Sequence, residues 1–246
     1  MKDLFSGHAA DYSRFRPGYP EALVSYLASL PEKREYAWDC GTGNGQLAGV
    51  LAQHFGAVYA TDISAEQMRN AIQALNIRYR TCPAESTSFT DAQFDLVTVA
   101  QAVHWFDFDA FYNEVKRVLK PGGFLAVTGY ALLEVDEKVD EVIRELYSGL
   151  LKGYWDPERK YIDELYRTIP FPFEEIEPPV FRNEYQWDLS ALLNYLETWS
   201  AVKHYTRDMD VSPVTLIFDR LKTAWGKAEK KTVTFPVLLR VGRSIR

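Results

Sequence analysis

The chain has 246 residues, which is long for one domain and short for two. Because 47% of the residues are hydrophobic and 14% are aromatic, the chain can bury a sizeable core. A net charge of −6 argues against a nucleic-acid partner, since such proteins carry a basic surface. No apolar run approaches the ~20 residues that span a membrane, and residues 1–8 lack the apolar segment of a signal peptide. We expect a cytoplasmic protein in which Cys40 and Cys82 stay reduced.

Strands and helices alternate through the first half of the chain. After a helix at 21–30, the pattern predicts strands at 35–40, 57–61, 77–81, 94–100 and 124–130, with helices at 44–54, 64–75 and 107–119. Ser64 and Gln67 have the spacing of a helix capping box. This alternation indicates right-handed βαβ units and a parallel sheet with helices on both faces.

The second half of the chain is mainly helical. It predicts helices at 136–150, 157–168, 189–204 and 212–227, a proline-rich connector at 171–179, and strands at 180–187 and 232–241. Pro236 lacks a backbone N–H, so it suggests that the last strand is an edge or carries a bulge. We interpret residues 1–246 as one domain, with a ligand-binding core at 35–130 and a helical cap at 136–168 and 189–228.

A glycine-rich turn follows the first strand, in the run Asp39-Cys40-Gly41-Thr42-Gly43-Asn44-Gly45. A strand, a glycine turn and a helix in this order usually hold a nucleotide-like ligand. Gly41 lets the backbone turn sharply, and Gly43 lets it approach a ligand closely. Dinucleotide-binding folds place a third glycine one position later, where this chain has Gln46.

Asp62 ends the second predicted strand, where a carboxylate can accept both hydroxyls of an adenosine ribose. The next residue, Ile63, either lies against an adenine ring or packs in the core. The ribose contact alone does not distinguish S-adenosylmethionine from NAD.

The fourth predicted strand ends in Ala100-Gln101-Ala102-Val103-His104-Trp105. Ligands of open α/β sheets bind at the carboxyl ends of central strands. Gln101 is therefore a candidate cofactor contact, and His104 is the candidate catalytic residue. The later run Lys120-Pro121-Gly122-Gly123 breaks a helix and turns the chain into the fifth strand.

Together, these motifs resemble the S-adenosylmethionine-dependent methyltransferases, whose Rossmann-like sheet has seven strands, mostly parallel with an antiparallel terminal pair. Within that family, the run Asp-x-Gly-x-Gly-x-Gly, the His-Trp pair and the Lys-Pro-Gly-Gly turn are similar to the UbiE/Coq5-like small-molecule enzymes. The N-terminal Tyr12-Ser13-Arg14-Phe15-Arg16-Pro17 and the pair Trp199-Ser200 look like the trans-aconitate methyltransferase branch. The Asn-Pro-Pro-Tyr motif of nucleobase methylases is absent from the sequence.

The resemblance implies roles for particular residues. Asp39, Gly41 and Gly43 would hold the methionine part of S-adenosylmethionine, and Ala84 and Glu85 would meet the adenine amine. Tyr12 and Arg16 would contact the cofactor from an N-terminal arm. No metal is implied.

The methyl acceptor is expected to be a small organic molecule, with a carboxylate or hydroxyl oxygen favoured. His104 would orient or neutralise a carboxylate, which is already ionised, or accept the proton of a phenol, alcohol or amine. The cap should line the acceptor pocket, with Tyr130, Trp155, Tyr161, Trp199 and Tyr205 as aromatic candidates and Arg14, Arg16, Lys203 and Arg207 as anion holders. An NAD(P)-dependent oxidoreductase and a non-catalytic S-adenosylmethionine-binding protein remain alternatives, and the sequence leaves the oligomeric state open.

Overall fold

The structure is a computed structural model that describes residues 16–245. Its first half alternates helices and strands: α1 (Glu21–Ser29), β1 (Tyr36–Cys40), α2 (Gln46–Leu51), β2 (Ala57–Asp62), α3 (Ala65–Arg69), β3 (Ile77–Thr81), β4 (Phe94–Ala100), α4 (Phe108–Val118) and β5 (Leu119–Tyr130). Its second half contains α5 (Glu137–Glu145), α6 (Lys160–Asp163), β6 (Glu174–Ile176), β7 (Arg182–Trp187), α7 (Leu189–Glu197), α8 (Ser200–Met209), α9 (Pro213–Trp225) and β8 (Lys231–Arg243).

These strands form one sheet in the order β3-β2-β1-β4-β5-β8-β6, and β7 also pairs with β8. Strands β1 to β5 are parallel, whereas β8 runs antiparallel to β5. This arrangement confirms the predicted α/β sheet with an antiparallel end. The strand order reverses between β1 and β4, so the carboxyl ends of these two strands open the crevice where such sheets bind ligands.

The sheet has one strand more than the predicted seven. The extra strand is β6, which lies in the stretch predicted as a connector and pairs with the end of β8. Strand β7 pairs with the beginning of β8, so β6 and β7 together cover one side of this long strand. The sequence did not predict β6 as a strand because it is short and Pro178 and Pro179 separate it from β7. Both β6 and β7 pair with the same strand, β8.

Pro236 lies within β8, which is flanked on both sides, so the edge interpretation of this proline is wrong. The bulge interpretation is confirmed. Tyr130 pairs with Val237 and Glu134 with Thr234, so three residues of one chain segment lie opposite two of the other. The Pro236 carbonyl accepts the N–H of Ala131 at 3.0 Å. Proline has no backbone N–H, and Pro236 lies where the pairing of β8 with the end of β5 is irregular.

Several predicted helices are shorter than expected, and the one predicted at 189–204 is divided into α7 and α8. The Ser64 side chain caps α3 by accepting the N–H of Gln67, as predicted, but the helix ends at Arg69 and Leu75 is fully exposed. The helix predicted at 157–168 is a 3₁₀ turn, Pro157–Arg159, followed by the short α6. Leu165 and Tyr166 then adopt left-handed backbone conformations, with φ of 56° and 60°.

Helices α5, α7, α8 and α9 pack around their own apolar cluster, which is separate from the clusters on the two faces of the sheet. The largest buried members of this cluster are Tyr195, Trp199, Tyr205, Trp225 and Phe235. Within residues 16–245, no helix is long and apolar enough to cross a membrane.

Candidate active site

The glycine turn between β1 and α2 forms the floor of the crevice. Gly41 and Gly45 have φ of 69° and 78°, which side-chain-bearing residues rarely adopt. A Cβ atom at Gly41 would lie 2.6 Å from the Cβ of Ala102. Only a residue without a side chain therefore fits between the turn and the segment after β4. The turn thus lines the crevice at the start of α2, the end of a helix that carries free N–H groups.

Asp39 anchors this turn from within the core. Its buried carboxylate accepts the hydroxyl of Thr42 at 2.6 Å and the hydroxyl of Thr98 at 2.9 Å. Burial raises the pKa of Asp39 to about 6, although the hydrogen bonds from both threonines oppose that shift. The side chain therefore fixes β1 to β4 and also places a carboxylate on the crevice wall.

Asp62 closes the turn from the end of β2. Its Oδ2 accepts the backbone N–H of Gly43 and its Oδ1 accepts that of Ser64, each at 2.9 Å. Ile63 and Ser64 follow it along the same wall, and the side chain of Gln67 reaches in from α3. The sequence indicated Gln67 only as a helix cap, because the direction of its side chain depends on how α3 packs.

The crevice contains a cavity of about 120 Å³. Seven of the predicted cofactor contacts line it: Arg16, Asp39, Gly41, Gly43, Asp62, Ile63 and Gln101. Ala84 and Glu85 are not among its lining residues. Ala84 is buried, and the Glu85 carboxylate accepts the N–H of Asp107 at 3.1 Å. Their adenine contact stays a prediction, and Tyr12 lies outside the described residues.

A second cavity, of about 60 Å³, adjoins the first on the cap side. The two cavities share four lining residues, Arg16, Gln101, Trp105 and Tyr130. The second cavity, called the acceptor cavity below, is also lined by His104, Trp155, Asp156, Arg159, Ile162, Tyr195, Trp199 and Ser200. A molecule in the acceptor cavity would therefore lie beside one in the crevice, and both would contact the side chains common to the two cavities.

Two arginines line the acceptor cavity. Arg16 donates to the hydroxyl of Tyr130 and to the carbonyl of Thr198, each at 3.3 Å, and so ties the arm before α1 to β5 and to the cap. Arg159 lies over the ring of Trp155 at 4.9 Å, and its Nε donates to the hydroxyl of Tyr147 at 2.7 Å. Within residues 16–245, the Nη atoms of Arg159 have no hydrogen-bond acceptor and are not fully enclosed.

His104 is a buried residue on the wall of the acceptor cavity. Burial, with a smaller contribution from the charge of Arg159, lowers the pKa of His104 to about 3. The imidazole is therefore neutral near pH 7, so it fits the orienting role considered for a carboxylate acceptor better than the neutralising role. Arg159 and Arg16 supply the positive charge instead.

Gln101 occupies the junction of the two cavities. It has a φ of 56°, an uncommon conformation for a residue other than glycine. Its Nε2 is enclosed yet has no hydrogen-bond partner among residues 16–245. A buried amide donor without a partner is costly, which agrees with the prediction that Gln101 contacts the cofactor.

Three of the five aromatic residues expected in the acceptor pocket line it, namely Tyr130, Trp155 and Trp199. Tyr161 packs against Phe108 and Tyr205 against Tyr154 instead. Neither Lys203 nor Arg207 lines either cavity; both are exposed, and Arg207 pairs with Asp208. Arg14 lies outside the described residues. The sequence did not indicate Arg159, because the order of apolar and polar residues at 157–168 does not show which side chains face the acceptor cavity.

The chain is similar in sequence and in fold to known methyltransferases. A family model described as a methyltransferase domain matches residues 38–127. A protein named as a methyltransferase from Dictyostelium discoideum is 34% identical over 245 residues, which cover 96% of this chain and 93% of that protein. A solved structure named as a type II methyltransferase from Anaeromyxobacter dehalogenans is 42% identical, with a TM-score of 0.88, and covers 94% of this chain and 99% of that one.

A relative from Saccharomyces cerevisiae, named as an S-adenosylmethionine-dependent methyltransferase, is 23% identical over 242 residues, covering 83% of each protein. The fold and the crevice thus define a methyltransferase. The chain belongs to the S-adenosylmethionine-dependent methyltransferase family, so the oxidoreductase and non-catalytic alternatives are set aside.

The crevice suits S-adenosylmethionine. The glycine turn offers close backbone contact, the carboxylates of Asp39 and Asp62 line the crevice, and Gln101 supplies an unused amide donor beside the acceptor cavity. When bound, this cofactor supplies an electrophilic methyl group on a positively charged sulfur.

Proposed function

We propose that the protein transfers a methyl group from S-adenosylmethionine to a carboxylate oxygen of a small organic acid bound in the acceptor cavity. The observation that carries this proposal is the pair of arginines among aromatic walls. Arg16 and Arg159 against Asp156 give the cavity lining a net charge of +2 − 1 = +1, with His104 neutral. An arginine fork is the side chain best suited to a carboxylate.

The chemistry of this transfer needs no proton acceptor. The carboxylate oxygen forms a bond to the methyl carbon as the carbon–sulfur bond breaks and its electron pair stays on sulfur. The products are a methyl ester and S-adenosylhomocysteine. The protein contributes by alignment, with the arginines holding the acid and the residues common to both cavities setting the approach of oxygen to carbon.

The sequence also predicts a hydroxyl oxygen as a candidate methyl acceptor, and the environment of His104 disfavours this class of acceptor. A phenol or alcohol has to lose its proton, and a general base works best when its pKa is near the working pH. With its pKa lowered to about 3, His104 is a weak base for that step.

Further properties belong to the same proposal. We place the enzyme in the UbiE/Coq5-like superfamily, near the trans-aconitate methyltransferase branch, on the motifs described above. We further propose that it is a single-domain cytoplasmic protein with a small-molecule acceptor and without a nucleic-acid partner. The proposed cofactor contacts outside the cavity lining, Tyr12, Ala84 and Glu85, are retained as part of it.

The proposal is tested by a screen with methyl-labelled cofactor. Matched sets such as phenylacetic acid, 2-phenylethanol and 2-phenylethylamine, with aliphatic mono- and dicarboxylic acids, separate the acceptor classes. We expect label transfer to acids, and we expect alkali to release the label as methanol because the product is an ester. Transfer to alcohols or amines but not to acids would contradict the proposal.

Arg159→Ala should raise the KM for the acid about 10- to 100-fold, because a charge-assisted hydrogen bond is lost. Arg207→Ala removes an arginine that pairs with Asp208 outside both cavities, and it serves as the matched control.

A further inference from the structure

A tyrosine from the cap lies directly behind His104. Tyr166 is fully buried, and its hydroxyl oxygen lies 3.4 Å from the Nδ1 of His104. This is the only hydrogen bond of that hydroxyl within residues 16–245. The left-handed backbone at Tyr166 and the absence of a side chain at Gly129 allow the ring to reach this position.

The contact determines where the imidazole carries its proton. The fully buried hydroxyl has one proton to donate, and Nδ1 is its only acceptor in the described part of the chain. If Nδ1 carried the ring proton instead, the tyrosine proton would be left without an acceptor, which destabilises a buried group. A neutral histidine holds one ring proton, so that proton is on Nε2.

The Nε2 atom faces the acceptor cavity. His104 lines that cavity, and its Nε2 has no hydrogen bond within residues 16–245 and is not among the fully enclosed polar atoms. The charged and titratable groups that share the cavity with it are Arg16, Tyr130, Asp156, Arg159 and Tyr195, and Tyr166 contacts it from behind. Burial and the charge of Arg159 keep the ring neutral, which supports the same assignment.

We propose that Tyr166 is a positioning residue that fixes His104 in the tautomer protonated at Nε2, so that His104 donates a hydrogen bond to the acceptor oxygen and does not take a proton from it. The identity of that oxygen as a carboxylate rests on the proposed function, whereas the tautomer does not. The consequence for substrate class is that acceptors arrive already ionised.

The tautomer can be measured directly by ¹⁵N NMR of the protein labelled at its histidine rings, without any acceptor. His204 is an internal control that should have the opposite tautomer. Its Nδ1 lies 2.9 Å from the carbonyl of Tyr154, which can only accept a hydrogen bond. We expect the His104 ring to show a proton on Nε2 at pH 8 and the His204 ring to show one on Nδ1. His104→Gln and His204→Gln assign the signals.

Tyr166→Phe should remove the preference and give a mixture of His104 tautomers while leaving His204 unchanged. If this variant does not fold, the wild-type spectrum still decides. A wild-type His104 protonated on Nδ1, or on both nitrogens, would overturn the inference whichever acceptor the enzyme uses.

Activity with an acid from the screen gives the second test. His104→Ala should lower kcat/KM about 10- to 100-fold because a hydrogen bond to a charged oxygen is lost. His104→Gln should recover most of that loss, since the amide can donate from a position near that of Nε2. If His104 acted as a base, glutamine would be as poor as alanine. A screen that finds no acid acceptor would remove the proposed function and leave the NMR result standing.

Discussion

Asp62 performs two tasks with one carboxylate. Its oxygens accept the backbone N–H groups of Gly43 and Ser64, so the side chain connects the glycine turn to the start of α3. The same carboxylate lines the crevice, where we propose that it binds the ribose hydroxyls. Its loss therefore removes a ligand contact and also loosens the turn that shapes the site.

Asp62→Ala should raise the Kd for S-adenosylhomocysteine about 10- to 100-fold, since hydrogen bonds to a charged group contribute ~1.5–3 kcal/mol. Isothermal titration calorimetry measures this change. Asp91→Ala is a suitable control, because that exposed carboxylate pairs with Arg117 and does not line the crevice. An unchanged Kd in Asp62→Ala would exclude Asp62 from the cofactor site.

At the level of residues, the sequence predicted those residues of the crevice lining whose position follows from local spacing. Asp39, Gly41, Gly43 and Asp62 all lie at strand ends, and β1 and β2 bring them to one edge of the sheet. Arg159 and Tyr166 come from a segment more than fifty residues after β4, and only the packing of the cap turns them toward His104. No periodicity in the sequence carries that information.

At the level of elements, the approach of β5 to the segment after α6 positions the histidine. A Cβ atom at Gly129 would lie 2.8 Å from the hydroxyl oxygen of Tyr166 and 2.9 Å from its Cε2. Since Tyr166 is fully buried, its ring has little room to move aside. The glycine is therefore needed for strand β5 and the cap to pack together at this place.

Gly129→Ala should destabilise the fold by about 1–3 kcal/mol through overpacking, and it should also disturb the tautomer of His104. Urea unfolding followed by circular dichroism measures the first effect. Gly149→Ala is the matched control, because its Cβ would meet Glu145 at an ordinary 3.7 Å. Equal stability of the two variants would show that the contact between β5 and Tyr166 is looser than described.

The elements of the sheet were easier to predict than those of the cap. Strands such as β4 are buried on both faces and read as apolar runs, so their bounds followed from composition. The predicted extension of α3 to Leu75 was wrong because an apolar residue at helical spacing was taken as buried, whereas it is exposed. Strand β6 was missed because three residues give no period, and pairing with β8 decides their conformation.

The stability of the whole molecule should depend on pH through one carboxylate in its core. Asp39 is buried, and burial raises its pKa from an ordinary 3.8 to about 6. An acid with a higher pKa in the folded than in the unfolded protein binds more protons when folded. Its contribution to stability is therefore fully present below pH 3.8 and is lost as the pH rises through about 6.

The free energy of unfolding of the wild type, relative to that of Asp39→Asn, should fall by about 2 kcal/mol between pH 4 and pH 7. Asparagine keeps the shape of the side chain and does not titrate, so the comparison cancels the other acids. Chemical denaturation at several pH values gives both curves. Parallel curves would mean that the Asp39 carboxyl titrates as it does in water.

The arginines of the acceptor cavity also bear on how the product leaves under the proposed reaction. An acid enters as an anion and is held by Arg16 and Arg159, but its methyl ester carries no charge at that oxygen. The reaction thus cancels the attraction that brought the molecule in, and the aromatic walls alone retain it. Each transfer would then lower the affinity of the cavity for its own product. Product release would be favoured, because the next anionic acid binds more tightly than the ester and displaces it.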